Sequence, residues 1–241
     1  MTAGHVALTL VICAAASIVQ ATAGFGFALV AMPLLSMVIG PVHALAVISL
    51  VAMVNSTSTA VTAREHIEWR AVITTSAASV AAMPLGLLAL ARLDDRGLRI
   101  AIAACVALAA TVLVAGFRLR RAGTAPDVIA GLISGTLSTS TGTSGPPVVL
   151  ALQARQLSAP KVRATMATQF VLTSPLSIAF LAFAGKIGAT DVWLALAAAP
   201  VLLLSWTIGN RLFGRIDQGR YNQLVIAMLF AIAAIIIAQA L

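Results

Sequence analysis

Two short runs in this chain hold the residue types that bind small ions. One is Ala23-Gly24-Phe25-Gly26-Phe27, and the other is Ser138-Thr139-Ser140-Thr141-Gly142-Thr143-Ser144-Gly145-Pro146-Pro147. In the second, Gly142 and Gly145 permit backbone conformations that other residues avoid. Pro146 or Pro147 suits a first helical turn, where its missing N–H costs no bond. Thr141, Thr143 and Ser144 offer hydroxyls. A helix starting at such a run presents free N–H groups and the positive end of its dipole, which suits an anion. The chemistry implied is neutral, donor-rich binding of a compact oxyanion. In the first run Gly24 and Gly26 supply a bend, and Phe25 and Phe27 close the site sterically. Thr22, Asn55 and Gln169 join the candidate substrate contacts, the amides because they donate to oxyanions. The structural alternatives are close helix packing at Gly24 and Gly26, and interhelical hydrogen bonds at the polar residues.

These runs must be positioned by apolar elements, because little else is present. Of 241 residues 61% are apolar and 9% charged, against about 45–50% and about 25% in a soluble globular domain. Apolar segments fall at about 5–39, 42–62, 70–91, 98–117, 128–153, 162–184, 190–209 and 222–240, where one helical crossing needs about 20 residues. The class is an all-α polytopic membrane protein with about eight hydrophobic segments. Segment 5–39 would be roughly 50 Å long as one helix, too long for a hydrocarbon core of about 30 Å. It is broken at Gly24–Gly26, and segment 128–153 is broken at the Ser/Thr/Gly/Pro run.

Each broken segment opens one half of the chain, and the halves read as a duplication. Gly86 and Gly209 are 123 residues apart, as are Arg92-Leu93-Asp94 and Arg215-Ile216-Asp217. Pro41-Val42-His43-Ala44 pairs less closely with Pro160-Lys161-Val162-Arg163. The expected division is a first transmembrane repeat at 1–117, a linker at 118–127 and a second repeat at 128–241.

The net charge is +8, yet every Lys and Arg lies in a gap between apolar runs and no basic patch is interleaved with aromatics. This is a membrane topology signal, not a nucleic-acid surface. If each broken segment returns to its starting side as a hairpin, eleven basic residues (64, 70, 118, 120, 121, 155, 161, 163, 211, 215, 220) face one side and four (92, 96, 99, 186) the other. A single crossing by each gives nine against six, a weaker bias. The hairpin arrangement makes the halves inverted repeats with a re-entrant first segment. The basic side is then cytoplasmic, in a bacterial inner membrane.

Other chemistry finds little support. Cys13 and Cys105 read as small core hydrophobes, and no metal or cofactor is assigned. Glu65, Glu68, Asp94, Asp95, Asp127, Asp191 and Asp217 sit in or beside loops, as do His5, His43 and His66 at segment ends, so no proton relay is visible. Gly142-Thr143-Ser144-Gly145 resembles the Gly-x-Ser-Gly pattern of rhomboid intramembrane proteases, but no histidine follows His66 to activate the serine. No catalytic residue is therefore assigned, and the protein is read as a non-enzyme.

The Gly-Phe-Gly break followed by Pro33-Leu34, the Gly-Thr-Ser-Gly-Pro-Pro break and about 240 residues of duplicated apolar segments together resemble the sulfite exporter TauE/SafE family. That family is also described as membrane transporter proteins or a toluene sulfonate uptake permease group. The resemblance covers essentially the whole chain and implies a transporter of sulfite, sulfonates or related organic anions. Export is the favoured direction, because an anion leaving an inside-negative cell gains about 2.3 kcal/mol per charge per 100 mV. Uptake with an unidentified coupling ion and an anion channel are the alternatives. The expected partners are a small anion and the lipid bilayer; a homodimer stays open.

Overall fold

The computed structural model describes residues 3–92, 111, 124–224, 226–227 and 230. Segment 98–117 apart from residue 111, most of segment 222–240, Cys105, Asp94, Asp95 and the basic residues 96, 99, 118, 120 and 121 lie outside the described residues. Among the described residues every regular element is helical. The helices are α1 (Ala3–Ala23), α2 (Phe27–Ile39), α3 (Pro41–Thr62), α4 (Trp69–Arg92), α5 (Thr124–Thr141), α6 (Gly145–Ala154), α7 (Ala159–Phe183) and α8 (Ala189–Phe213). A 3-10 turn at Arg64–His66 precedes α4, and residues 218–224 are helical beyond α8.

Five of these, α1, α3, α4, α7 and α8, are long and apolar enough to cross a membrane. The protein is a polytopic α-helical membrane protein. Large apolar side chains such as Met37, Phe183, Trp193 and Leu204 are exposed on its outside. That placement fits a lipid-facing surface. The shorter α2 and α6 are the second limbs of the two broken segments, and each break lies where the glycines predict it.

Two ion pairs mark the opposite ends of the bundle. His43, in the first turn of α3, lies 2.8 Å from Asp191 in the first turn of α8. Lys161, in the first turn of α7, lies 3.4 Å from Glu68, just before α4. A helix of 22 residues such as α3 spans about 33 Å, and the short turn at its far end leads into α4. The His43 end and the Lys161 end are therefore separated by the length of α3. Helices α3 and α8 start at the first end, and α4 and α7 start at the second.

The broken segments fold back as hairpins. Asp127 in the first turn of α5 pairs with Arg155 at the end of α6, 2.9 Å apart, so both ends of that segment sit at the Lys161 end. α1 runs parallel to α8: the Ser17 hydroxyl donates to the Leu202 carbonyl at 3.2 Å, and the Thr22 hydroxyl to the Gly209 carbonyl at 3.3 Å. α2 then returns to the start of α3. Each hairpin thus enters from its own end and carries its tip deep into the bundle.

Close helix packing holds the hairpins. A Cβ on Gly209 would stand 2.6 Å from the Ala21 Cβ and 2.7 Å from the Ile18 carbonyl oxygen of α1. Gly86 of α4 meets the Thr136 carbonyl and Thr139 hydroxyl of α5 more tightly still. Where lipid removes the hydrophobic drive between helices, this approach of small residues is what lets backbones pack. The two contacts correspond: residues 136 and 139 lie 118 positions after 18 and 21, and Gly209 lies 123 after Gly86.

The charges are less peripheral than their positions in sequence suggest. Asp127, Asp191 and Arg163 are 2%, 1% and 4% exposed. The two aspartates are drawn inside because each closes a helix end against a polar side chain, Arg155 for Asp127 and His43 for Asp191. Arg163 is inside because α7 begins at Ala159, two residues ahead of Lys161, so what reads as a loop is already a helix.

Candidate anion site

Each hairpin tip turns on a glycine in the left-handed region just after the entering helix, Gly24 at φ +86° and Gly142 at φ +71°, and the first tip adds a second at Gly26, φ +100°. The N–H of Gly24 donates to the Gln20 carbonyl at 2.7 Å, and that of Gly142 to the Ser138 carbonyl at 3.2 Å. Each bond closes the last turn of the entering helix, and the positive φ then turns the chain away. A side chain there would cost about 1–2 kcal/mol in this conformation. The next helices, α2 and α6, start only three residues later.

Those helix starts are left uncapped. The residue before α2 is Gly26 and the residue before α6 is Ser144, and neither end carries a side-chain cap. Serine commonly caps a helix with its own hydroxyl. Here the Ser144 hydroxyl has no partner among the described residues. The N–H groups of Phe25, Gly26 and Phe27, and of Thr143, Ser144 and Gly145, likewise find no acceptor among them. Unsatisfied N–H groups at two helix starts give two concentrations of partial positive charge.

Both starts face one cavity of about 50 Å³. That is several times the roughly 10–15 Å³ one water needs, and it suits an ion of a few heavy atoms. Gly26, Phe27, Ala28 and Leu29 form one wall, and Ser138 with Gly142–Gly145 forms another. Ile48, Ser49 and Ala52 of α3 and Phe170, Ser174 and Ser177 of α7 complete it, with Gln20 reaching in from α1. Ile48, Ser49, Ser174 and Ser177 lie in the halves of α3 and α7 nearer the His43 end, and Ala52 and Phe170 lie at the middle of their helices.

Six of the candidate residues read from the sequence come together on the cavity wall: Gly26, Phe27, Gly142, Thr143, Ser144 and Gly145. The others stand behind it or apart from it. The Thr141 and Thr143 hydroxyls bond each other at 2.8 Å, so Thr141 supports the wall from the rear. Phe25 is fully buried, its Cβ 3.2 Å from where a Cβ on Gly145 would stand, and it wedges the two tips together. Pro146 is buried in the first turn of α6. Gly24 packs on the Arg163 backbone and Thr22 on α8.

The two amides are also set back. Asn55 donates to Gln20 Oε1 at 2.9 Å and to the Ser17 carbonyl at 3.4 Å, while its Oδ1 accepts the Ser17 hydroxyl at 3.2 Å. Gln20 in turn donates to the Ser56 hydroxyl at 3.0 Å. Asn55 therefore holds Gln20 in place on the wall. Gln169 donates to the Ser79 hydroxyl at 3.4 Å, and its buried Oε1 has no partner among the described residues.

Gln20, Ser138, Ser174 and Ser177 are wall residues outside the candidate substrate contacts chosen from the sequence, although Ser138 opens the second polar run. A signal for two of them exists: Gln20 and Ser138 each stand four residues before the tip glycine, 118 residues apart. The Ser138 hydroxyl donates to that of Ser177 at 3.2 Å, joining the hairpin to α7.

On the far side of the first tip, Arg163 packs beneath Gly24. Its Nη2 donates to Asn210 Oδ1 at 2.8 Å, and its guanidinium carbon lies 4.4 Å from the centre of the Phe213 ring. Tyr221, stacked edge-on against Phe213 with ring centres 6.1 Å apart, donates its hydroxyl to the Ala23 carbonyl at 2.8 Å. That bond satisfies a carbonyl at the end of α1.

Comparison with known proteins bears on this arrangement. A profile of the family described as sulfite exporter TauE/SafE matches residues 8–236. A protein of Cupriavidus necator named "Probable sulfite/organosulfonate exporter TauE" is 27% identical over 202 residues, covering 80% of this chain and 78% of the relative. No solved structure matches the chain.

Proposed function

The chain belongs to the sulfite exporter TauE/SafE family, and from that premise we propose that it is a carrier of sulfite or small organosulfonates, working outward across a bacterial inner membrane. The observation that carries this reading is the meeting of two uncapped helix starts on one small cavity. The Ser144 hydroxyl and the N–H groups of Thr143, Ser144 and Gly145 are the proposed oxyanion donors. Gly26 lets the first tip approach, and Phe27 shapes the opposite wall. Non-helical backbone at membrane depth survives only where protein buries it or a polar cavity meets it. Here it does both.

The halves, 1–117 and 128–241 joined by linker 118–127, are proposed to be inverted repeats of an eight-segment fold. In support, α3 starts at the His43 end and its counterpart α7 at the Lys161 end. The pairs His43–Asp191 and Lys161–Glu68 are related by the same spacings of 118 and 123 residues that relate the glycine contacts. Paired broken helices in inverted halves are a common construction for a site near the membrane midplane.

Among the described residues, Arg64, Arg70, Arg155, Lys161, Arg163, Arg211, Arg215 and Arg220 lie in the half toward the Lys161 end, and Arg92 and Lys186 at the other. The positive-inside rule makes the Lys161 end cytoplasmic. A cytoplasmic anion then leaves down the membrane potential without a coupling ion.

The test is purified protein in proteoliposomes with an inside-negative potential, measuring sulfite, taurine, isethionate and sulfoacetate. Saturable efflux of at least one is expected. Thermal shift should report the same ligand, since a ligand several-fold above its Kd adds roughly 1 kcal/mol of stability. If no sulfur anion stabilises or crosses at millimolar concentration, the reading fails. Uptake that needs an ion gradient would reverse the direction, and ion currents would replace the carrier by a channel.

A further inference from the structure

Resting on that reading, the structure assigns a second anion contact at the opposite end of the transport path: we propose that Arg163 is the charge that receives the substrate from the Lys161 end. The cavity lies toward the His43 end, whereas Arg163 stands one turn into α7, below the other side of the first hairpin tip. Arg163 is 4% exposed, and among the described residues no carboxylate lies within ion-pair distance of it. Its guanidinium has one hydrogen bond, to the neutral Asn210, and its buried Nε has none among the described residues. The Phe213 ring face supplies the remaining stabilisation.

A buried guanidinium without a counter-charge is costly, and an ionisable group within membrane segments is by default a functional one whose partner must be found. Asp127 and Asp191 show how this protein treats buried carboxylates with a structural role: Arg155 Nη1 lies 2.9 Å from Asp127, and His43 Nδ1 lies 2.8 Å from Asp191. Arg163 is treated differently. Its planar fork suits an oxyanion in a way a point charge does not.

The two ends differ at this position. The position 118 residues before Arg163 is Leu45, whose Cδ1 is 3.1 Å from where a Cβ on Gly142 would stand. Leu45 lies against Gly142 as Arg163 lies against Gly24. One tip is closed by an alkyl group, and the other by a cation that an arriving anion would draw away from Asn210. Movement of Arg163 toward the anion would also free the Gly24 tip it now packs against.

The experiment is sulfite flux in sided proteoliposomes, with the substrate presented to each end in turn, for wild type, Arg163→Gln, Arg163→Lys and Asn210→Asp. Arg163→Gln is expected to raise the half-saturation concentration at the Lys161 end at least ten-fold. Half-saturation at the His43 end and the thermal shift caused by sulfite should stay within about two-fold. Arg163→Lys should recover part of the loss. Asn210→Asp keeps the arginine but supplies an internal counter-charge, so it should raise Tm while weakening entry from the Lys161 end. It keeps the test alive if Arg163→Gln does not fold. Half-saturation at the Lys161 end that stays at the wild-type value, or that rises equally at both ends, in Asn210→Asp or Arg163→Gln overturns the assignment. Wild type that neither binds nor moves any sulfur anion would instead refute the carrier itself.

Discussion

The tips of the two hairpins occupy corresponding places and are built from opposite materials. The first is Gly24-Phe25-Gly26, aromatic and crowded: a Cβ on Gly24 would lie 2.8 Å from the Arg163 Cα. The second is Gly142-Thr143-Ser144, hydroxylated and looser, with only side-chain atoms of Leu45 and Ile48 near its glycine. Both turn the chain with the same left-handed glycine and expose the same kind of helix start. The two tips share the backbone device, while their side chains differ in kind. One tip wedges and shapes; the other supplies the polar donors.

The comparison can be broken most severely at the glycines. Gly24→Val meets immovable backbone as well as the penalty of a positive φ, so it should give no monodisperse protein by size-exclusion chromatography. Gly142→Ala meets only flexible side chains and should fold, with Tm lowered by a few degrees for a cost of about 1–2 kcal/mol. Similar behaviour in both would mean that the tips are equally packed.

The division of chemistry is tested by Ser144→Ala. A hydrogen bond to a charged group contributes about 1.5–3 kcal/mol, so sulfite affinity should fall roughly ten- to hundred-fold with Tm nearly unchanged. Phe27→Leu on the other tip should change it less than about five-fold.

A smaller effect is expected from Tyr221→Phe. Removing its bond to the Ala23 carbonyl should cost about 1 kcal/mol, read as a lower Tm, with sulfite affinity unaffected. Smallest of all is Lys161→Ala, which breaks a half-exposed pair with Glu68 and should lower stability by less than about 1 kcal/mol. A loss several times larger would show that the two end pairs lock the halves together.

Much of the fold could be read from patterning. A run of about 20 apolar residues has one stable fate in lipid, so α3, α4, α7 and α8 fall within a few residues of the expected segments. The breaks at Gly24 and Gly142 were legible because glycine and clustered hydroxyls interrupt otherwise uniform apolar sequence. Residue type also picked out six of the sixteen residues that line the candidate site, the part that lies on the breaks themselves. Asn55 shows the limit: an amide in an apolar helix must find partners, but sequence does not say whether those are Gln20 and Ser17 or a ligand.

By itself, then, the sequence determined that this chain lives in a membrane and that two of its apolar segments are broken by glycine-containing runs. Those properties depend on composition and spacing along one strand of chain. Only the tertiary structure decided that both tips reach one cavity, that Gln20 and Ser138 line it, and that Arg163 is buried without an acidic partner. These depend on which helices meet across 100 or more residues, through glycine contacts and helix-end pairs that have no local signature. Arg163 illustrates the reason: its neighbours in sequence place it at a membrane surface, and its neighbours in space, Gly24, Asn210 and Phe213, place it inside.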